Sequence, residues 1–285
     1  METHRFRYSA HSRHLRIRPF GDLQKGDKGF REDLWQRWKR DALEDKTSLI
    51  IGTGDYSNSF RPTISKRLSK VMVDDLAAQG ELDHMITREM SDLADELKPF
   101  KNRIIGLLEG HHHHKLISGV TSTQILCQIL GVKYLGFLSL IQLIVKFCGG
   151  STIIISIFAT HGCGGASLVH SDLQNLERKI MPFWDCDIFL RGHSTKVYVV
   201  HGHPLNYIPK RNPNGKDILT IHKRNRLLVN TGGFMEGYTQ GNSSYVEYAN
   251  IPPCALGWTV INLYMPSSRK AENRNFEISG IAVVP

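Results

Sequence analysis

The sequence GHHHH at residues 110–114 directly follows IIGLLE at residues 104–109, a run that is apolar apart from its last residue. Such a run is typical of a buried strand, so the histidines are delivered to the end of that strand. Imidazole is the commonest neutral metal ligand, and open α/β folds carry their sites at the rim of the sheet. The stretch therefore favours a metal site, with a solvated polar loop as the alternative. Motifs elsewhere in the chain distinguish the metal site from the polar loop.

The same arrangement recurs along the first two thirds of the chain: an apolar strand ends in a loop that carries Asp or His beside Gly. Strands are predicted at about 14–20, 48–52, 104–108, 152–158 and 187–191. The polar residues that follow them are, in order, Asp22 and Gln24, Asp55 and Asn58, His111 and His112, His161, and His193. One strand-end Asp is usually a turn or helix cap, and one buried His is usually a satisfied core residue. A series of five is hard to obtain by chance.

Helices are predicted between these strands, at about 30–45, 62–79, 82–98, 121–130 and 167–180. The last third changes to short β segments, at about 196–200, 217–222, 226–230, 243–249, 257–264 and 276–284. The most apolar region, 134–159, is interrupted by polar residues and by glycines at 149–150, which predicts two strands joined by a turn. This order indicates an α/β layered fold with a β-rich C-terminal third. We expect a single domain over residues 1–285, with 1–13 as a flexible basic arm.

The composition is that of a globular chain, with 41% of its 285 residues apolar, a net charge of +9 and a pI near 9.3. A basic balance favours polyanionic partners, nucleic acid first, although a basic surface supports solubility equally well. Five cysteines without paired spacing favour reduced thiols. The first sixteen residues are too polar for a signal peptide, and no run reaches the ~18–20 apolar residues of a membrane helix. We therefore expect a cytoplasmic protein with no membrane partner.

The motifs, taken together, carry a resemblance. They are Gly-Asp-x-Gln at 21–24, Gly-Asp-x-x-Asn at 54–58, Gly-His-His at 110–112, His-Gly-x-Gly at 161–164 and Gly-His-x-Thr at 192–195. In order and spacing the series resembles the calcineurin-like metallophosphoesterase family, whose pattern is Asp-x-His, Gly-Asp, Gly-Asn-His, a lone His, and Gly-His-x-His. The resemblance covers residues 14–200. The segment LVNTGGF at 228–234 is similar to the strand that closes the second sheet in phage-type and prokaryotic members.

The resemblance implies a four-layer αββα sandwich with mixed sheets. If the chain is of phage origin, the expected location is the cytoplasm of the host. It also implies two divalent ions that bind a phosphate ester and activate a hydroxide for attack on phosphorus. Asp55 corresponds to the carboxylate that bridges both ions. Asp22 would hold the first ion, with Gln24 and Thr195 where the family has histidines.

The second ion would be held by three imidazoles, those of His111, His161 and His193, with His111 in place of the family's asparagine. A site rich in imidazole favours Mn, Fe, Zn or Ni over Mg or Ca. His112 corresponds to the family's catalytic histidine, which contacts the phosphate and assists the leaving oxygen. His113 and His114 have no counterpart in the pattern, and loop positions are favoured for them over a place in the substrate cleft.

The first site departs from the family pattern. Gln24 is a neutral, weaker oxygen ligand, and Thr195 is a weak or lost ligand because a hydroxyl binds metal poorly unless it is deprotonated. We therefore expect one tightly held ion and a second site that is weak or empty. Replacement of the lost ligands by His201 or His203 is a less favoured alternative.

Three further residues, Asn58, Trp35 and Trp38, are assigned the structural role that is most common for residues in such positions. Asn58 is favoured as the cap of a following helix over a contact to phosphate. Trp35 and Trp38, three apart on a predicted helix, are expected in the core rather than as platforms for stacked bases.

The favoured function is that of a metallophosphoesterase with an anionic phosphate-ester substrate. A phosphodiesterase acting on nucleic acid or nucleotides is preferred to a phosphatase because of the basic charge, and manganese is among the expected metals. The alternative is a catalytically weakened protein of the same fold that binds nucleic acid or a protein partner through its cleft. The changes at Gln24 and Thr195 motivate that alternative. The oligomeric state is not predicted.

Overall fold

Strands and helices alternate along most of the chain in the computed structural model, which describes residues 2–58, 76–148, 150, 152–163, 171–241, 244–248, 250–264 and 276–285. Strands β1 to β7 are Glu2–Ser9, His14–Phe20, Leu49–Gly52, Ile104–Leu107, Leu138–Lys146, Thr152–Thr160 and Ile188–Arg191. Strands β8 to β13 are Val197–Gly202, Leu205–Arg211, Asp217–Lys223, Arg226–Gly233, Gly257–Tyr264 and Glu277–Val283. Helices α1 to α5 are Glu32–Glu44, Leu76–Leu97, Ser122–Leu130, Ser171–Lys179 and Tyr245–Tyr248. Short 3-10 helices span Lys98–Arg103 and Met181–Phe183.

A mixed sheet follows the order β1-β5-β6-β7-β11-β12-β2-β3-β4, while β9 and β10 form a separate antiparallel pair. Strands β2, β3 and β4 are mutually parallel, and so are β6, β7 and β11. Strand β12 is antiparallel to both β11 and β2, so these two sets of parallel strands run in the same direction. The carboxyl ends of β2, β3, β4, β6 and β7 are therefore directed toward the same edge. The sheet narrows between β11 and β12, which pair at Gly232–Trp258 and Gly233–Gly257.

The buried apolar side chains form three clusters. The first joins the two halves of the sheet, with Ile17 from β2 and Ile157 from β6 among its members. The second packs the first three helices against the β2–β4 half and includes Trp38 and Leu93. The third packs α4 against the β6–β7 half through Leu176. The first three helices thus pack against one half of the sheet and α4 against the other, while apolar residues of both halves meet in the first cluster.

Several predicted elements are confirmed. Strand β2 matches its predicted range, and β5 and β6 form the antiparallel pair expected over 134–159. Helix α3 is capped by Thr121 and ends at Gly131, which has a φ of 68°. Trp35 and Trp38 are fully buried and belong to the second cluster, as predicted.

The expectation of a flexible basic arm is wrong for Glu2–Ser9, which pair with β5 in parallel over eight positions. Phe6 and Tyr8 alternate with Arg5 and Arg7, and these two aromatic rings pack against the first cluster. The charge of the segment hid this period-two pattern, which is that of a strand with one face on the core.

Three other sequence predictions need correction or completion. The segment 243–249, expected as a strand, contains the short helix α5, whose Glu247 carboxylate accepts a hydrogen bond from the Ser244 N–H. Helix α2 runs without a break from Leu76 to Leu97, across the predicted gap at 80–81, and most of the predicted helix at 62–79 lies outside the described residues. Strand β9 was not predicted. None of the described helices is long and apolar enough to cross a membrane.

Candidate metal centre

Two groups of metal-binding side chains lie at the carboxyl ends of the parallel strands. The first consists of His111, His161 and His193, and the second of Asp22, Asp55 and His161. Within each group the ligand atoms all lie within 4.8 Å of one another. All five residues were singled out from the sequence as ligands. His161 is common to both groups, whereas Asp55, the expected bridging carboxylate, lies in the second group.

The loops after β2 and β3 run side by side and place the first-site residues. The Asp22 N–H donates to the Gly54 carbonyl oxygen at 2.9 Å, and the Gln24 N–H donates to that of Asp55 at 3.0 Å. Gly54 has a φ of +102°, and a Cβ at this position would lie 2.6 Å from Nδ1 of His161. Glycine is therefore required here, because it permits both the left-handed conformation and the close approach.

Backbone strain is concentrated at the candidate ligands. Asp22, Gln24, Asp55 and His193 have positive φ angles, between 48° and 66°. Among the described residues, two further non-glycine residues share this conformation. Such backbones cost on the order of 1–3 kcal/mol each and cluster at functional sites, where the surrounding structure maintains them. The positive φ angles therefore coincide with the candidate ligands, as is common at functional sites.

The Asp55 carboxylate is buried at the centre of the site. Its Oδ1 accepts a hydrogen bond from the backbone N–H of His112 at 2.9 Å, and its Oδ2 lies 3.2 Å from Nε2 of His161. Burial opposes ionisation, but the nearby His161 charge outweighs it and holds the pKa of Asp55 below its usual range. A Cβ at Gly110 would collide with Oδ1 of Asp55, so the histidine loop needs glycine where it passes this carboxylate.

His161 has the environment of a metal ligand. Its Nδ1 lies 2.7 Å from the Thr53 carbonyl oxygen, which can only accept, so Nδ1 carries the proton. Nε2 is buried without a hydrogen-bond partner and faces the Asp55 carboxylate. Two electron-rich atoms so close together require a cation, either a proton or a metal ion. Burial opposes protonation, but Asp55 outweighs it and raises the pKa of His161 to about 9. Metal-binding histidines commonly donate their other N–H to a carbonyl in this way.

His111 and His193 face each other with their Nδ1 atoms 3.1 Å apart. Burial and the neighbouring His161 lower the pKa of His111. Burial, His161 and His111 lower the pKa of His193 to about 4. Both rings are therefore neutral at pH 7, which is the form that binds metal. The backbone N–H of His193 also donates to Oδ2 of Asp22 at 2.9 Å and so links the two groups.

Asp22 and Gln24 are buried together on the first-site side. Burial, reinforced by the Asp55 carboxylate and only partly opposed by His161, raises the pKa of Asp22 to about 8. Oε1 of Gln24 is buried without a hydrogen-bond partner, which is costly for an amide oxygen. A cation bound at the site would satisfy both this oxygen and Nε2 of His161. The donor set therefore fits a divalent metal ion.

Thr195, predicted to be a weak or lost ligand, has its hydroxyl in contact with another side chain. Its Oγ1 lies 3.0 Å from Sγ of Cys254. His201 does not replace it: β8 pairs Val197 with Thr231 near the site and His201 with Leu227 at the far end. His201 is thus roughly 13 Å further along the strand than Val197. The replacement of first-site ligands by His201, or by His203 beyond it, is therefore wrong.

His112 is held by a chain of polar side chains that includes Asp27, a residue that the sequence did not single out. Its Nδ1 lies 2.8 Å from Oδ1 of Asn58, and Nδ2 of Asn58 donates to Oδ2 of Asp27 at 2.9 Å. The Asn58 side chain thus links His112 to Asp27, while the start of the helix that it was expected to cap lies outside the described residues. Asp27 lies 31 residues from Asn58 along the chain, so no local signal could have identified it. Nε2 of His112 lies 3.9 Å from Oδ2 of Asp55 and is directed toward the site.

The remaining two histidines of the run make contacts within the loop and with α2. Nδ1 of His113 donates to the Gly110 carbonyl oxygen at 2.7 Å. Nε2 of His114 lies 3.5 Å from Oδ1 of Asp83. Neither belongs to a metal-binding group among the described residues. Both residues lie in the loop between β4 and α3.

Arg191 connects the loops that carry His161 and His193. It is buried, and its guanidinium donates to the carbonyl oxygens of Asp172 at 2.9 Å and Cys163 at 3.1 Å. Because Arg191 immediately precedes the His193 motif, this contact fixes one ligand loop relative to the other.

Neither the known protein families nor the curated proteins contain a match to this sequence. Among solved structures, the chain is similar to a conserved uncharacterized protein, a predicted phosphoesterase, from Streptococcus pneumoniae TIGR4. Identity is 11% and the TM-score 0.34, over 94% of this chain and 90% of that one. It is also similar to Vps29 of Chaetomium thermophilum, with 11% identity and a TM-score of 0.37, over 94% of this chain and 97% of that one. Both likenesses are distant, so the function has to be inferred from the site itself.

Proposed function

We propose that this protein is a metal-dependent phosphoesterase of the calcineurin-like metallophosphoesterase type, and that it hydrolyses phosphodiesters of nucleic acid or nucleotides. One observation carries the proposal: two ligand groups share His161, whose buried Nε2 faces the Asp55 carboxylate at 3.2 Å. Adjacent metal positions of this kind suit the clamping of a phosphoryl group. The four-layer sandwich implied by the sequence is part of the proposal, and the three separate apolar clusters support it.

The ligand sets of the two proposed ions differ in strength. His111, His161 and His193 would hold one ion tightly through neutral imidazoles, together with Asp55. Because Nε2 of His161 has one lone pair and can bind only one ion, Asp22, Gln24 and Asp55 would hold the other ion through oxygen atoms alone, which predicts weaker binding or an empty site. Imidazole-rich coordination favours Mn, Fe, Zn or Ni. When bound, such ions supply a Lewis acid for the phosphoryl oxygens and make water a better nucleophile at neutral pH.

His112 is proposed as the catalytic side chain. Asn58 accepts a hydrogen bond from Nδ1, so Nε2 is the atom that is directed to the substrate. Protonated at Nε2, the ring can donate to the leaving oxygen and neutralise its developing charge. General acid catalysis of this kind contributes on the order of 10²- to 10⁴-fold to the rate.

The preference for diesters rests on charge. The chain carries a net charge of +9, which suits a polyanionic substrate, and nucleic acid, the polyanion favoured here, is linked by phosphodiesters. The choice between diester and monoester is made by comparing bis-p-nitrophenyl phosphate with p-nitrophenyl phosphate in the presence of Mn²⁺. Faster turnover of the bis ester is expected. Faster turnover of the mono ester would instead indicate a phosphatase.

The decisive experiment combines metal analysis with turnover. Plasma emission spectrometry of the purified protein is expected to find one transition-metal ion per chain, and Mn²⁺ is expected to support hydrolysis of the bis ester. The His161→Gln variant, which removes the shared ligand, should lose both. If the wild type binds no ion after incubation with Mn²⁺, Fe²⁺, Zn²⁺ or Ni²⁺ and hydrolyses neither ester, the enzymatic proposal fails.

A second function is favoured by one feature of the first site. Gln24 and Thr195 stand where imidazoles are expected, and the Thr195 hydroxyl already contacts Cys254. Such a site suits a catalytically weakened protein that binds nucleic acid or a protein partner through the same cleft. Retained metal without turnover of either ester, combined with binding of a single-stranded oligonucleotide, would support this second function.

A further inference from the structure

Phe137 lies beside the metal centre and is half exposed to solvent. Its relative exposure is 50%, and it immediately precedes β5. Its carbonyl oxygen accepts a hydrogen bond from the backbone N–H of His161 at 3.1 Å. The residue is thereby fixed next to the histidine that both ligand groups share.

The ring of His113 packs against Phe137. The two ring centroids are 5.6 Å apart, and the planes meet at 71°, an edge-to-face arrangement. The His113 ring is itself held in place, because its Nδ1 donates to the Gly110 carbonyl oxygen at 2.7 Å and lies 3.5 Å from the Glu109 carboxylate. His113 follows the ligand His111 by two residues. Two rings from two different loops thus meet at the rim of the site.

Phe137 is not explained by packing of the core. It belongs to none of the three apolar clusters formed by the described residues. By contrast, Trp35 and Trp38, which pack in the second cluster, are fully buried. Half of the surface of Phe137 is exposed despite the contact with His113, and an exposed aromatic ring at a phosphate site is suited to a planar ligand.

We propose that Phe137 and His113 form a subsite that stacks a nucleobase of the substrate beside the metal centre. This inference rests on the proposed phosphodiesterase function and names the substrate group that the rim recognises. Stacking on an aromatic ring tolerates any base, because every base presents a π face. The subsite therefore selects for nucleotides over other phosphodiesters without selecting a sequence.

The test compares two esters that release the same p-nitrophenolate: thymidine 5′-p-nitrophenyl phosphate, which carries a base, and methyl p-nitrophenyl phosphate, which does not. The kcat/KM of the thymidine ester divided by that of the methyl ester measures recognition of the base. Phe137→Ala is expected to lower this ratio about tenfold, and Phe137→Tyr to preserve it. Phe183→Ala is the matched control, because Phe183 is a more exposed phenylalanine, at 77%, in the 3-10 helix Met181–Phe183. An unchanged ratio in Phe137→Ala would overturn the inference.

A binding measurement separates this inference from the proposed function. Calorimetric titration compares thymidine 5′-monophosphate with 2-deoxyribose 5-phosphate, on metal-free and Mn²⁺-loaded protein. The wild type is expected to bind the nucleotide about tenfold more tightly, and Phe137→Ala to bind the two equally. If no ester is hydrolysed but this difference is found, the enzymatic proposal fails and the base subsite stands. Equal binding of both compounds by the wild type would refute the subsite, whatever the turnover.

Discussion

Oδ1 of Asn58 lies 2.8 Å from Nδ1 of His112, while Nδ2 of the same amide donates to Asp27. Because a carboxylate can only accept, the orientation of the amide is set by Asp27, and the amide in turn requires the proton of the neutral His112 ring on Nδ1. The chain from Asp27 to His112 therefore determines the tautomer of the proposed catalyst. It does so through a side chain that does not itself titrate.

Removal of Asn58 should therefore impair turnover without removing metal. We expect Asn58→Ala to lower kcat on the order of 100-fold, because His112 then loses its orientation and preferred tautomer. Metal content by plasma emission and kcat by ester hydrolysis are measured together. Ser57→Ala, in the same loop but bonded to Glu89, is the control and should retain kcat. Equal activity of the two variants would show that Asn58 does not position the catalyst.

Removal of the His112 side chain tests whether this residue is catalyst or ligand. We expect His112→Ala to keep its metal and to lose on the order of 10²- to 10⁴-fold in kcat, the range for general acid–base catalysis. Its backbone N–H, which contacts Asp55, is unaffected by the change. A metal-free variant would show that His112 is a ligand.

Asp55 is expected to be indispensable for metal binding. Asp55→Asn removes the buried charge 3.2 Å from Nε2 of His161, and both ions should be lost. Thr195→Ala should leave the metal content unchanged, since its hydroxyl contacts Cys254. Dialysis against Mn²⁺ followed by plasma emission gives both results. Full metal content in Asp55→Asn, or its loss in Thr195→Ala, would contradict the assignment.

Restoring an imidazole at position 24 should strengthen the first site. Gln24 has a φ of 48°, a conformation that histidine adopts more readily than most residues. We expect Gln24→His to raise the number of Mn²⁺ ions bound per chain from about one toward two, as judged by equilibrium dialysis. Gln24→Leu, which removes the amide oxygen, should not raise it. An unchanged stoichiometry in Gln24→His would place Gln24 outside the metal site.

The metal-free protein should lose stability in alkaline solution. The pKa of Asp22 rises from 3.8 to about 8 and that of His161 from 6.5 to about 9. The folded protein then holds protons that the unfolded chain releases, so this contribution to the free energy of unfolding falls as pH increases from 6.5 to 9. The lowered pKa values of His111 and His193 oppose this fall only near pH 6.5, where the unfolded histidines still hold part of their protons, and that of Asp55 acts only under acid conditions.

Urea unfolding with a chelator, at pH 6.5 and at pH 9, measures this fall. Loading with Mn²⁺ should make the fall in the free energy of unfolding smaller, because the ion takes the place of the bound protons. Asp22→Asn, which cannot ionise, should also reduce it. A free energy of unfolding that rises over this interval in metal-free protein would contradict the assigned shifts.

The sequence predicted the positions of the five strand ends well because each depends on local patterns. Apolar runs of strand length and the glycines that follow them are properties of consecutive residues. The flexible arm at 1–13 was wrong for a related reason: the alternation of Phe6 and Tyr8 is weak beside the charge of Arg5 and Arg7. Only the pairing with β5 shows that this segment belongs to the sheet.

The sequence by itself determined the candidate ligands, because each of them follows a recognisable strand. These residues are Asp22, Asp55, His111, His161 and His193. Tertiary structure decided how they are grouped: His161 is shared, and Thr195 contacts Cys254. Tertiary structure also brought Asp27 to Asn58 and Phe137 to His113. The physical reason is that hydrogen bonds and ring contacts depend on distance in space, and these partners lie far apart along the chain. A pattern of neighbouring residues carries no record of such contacts.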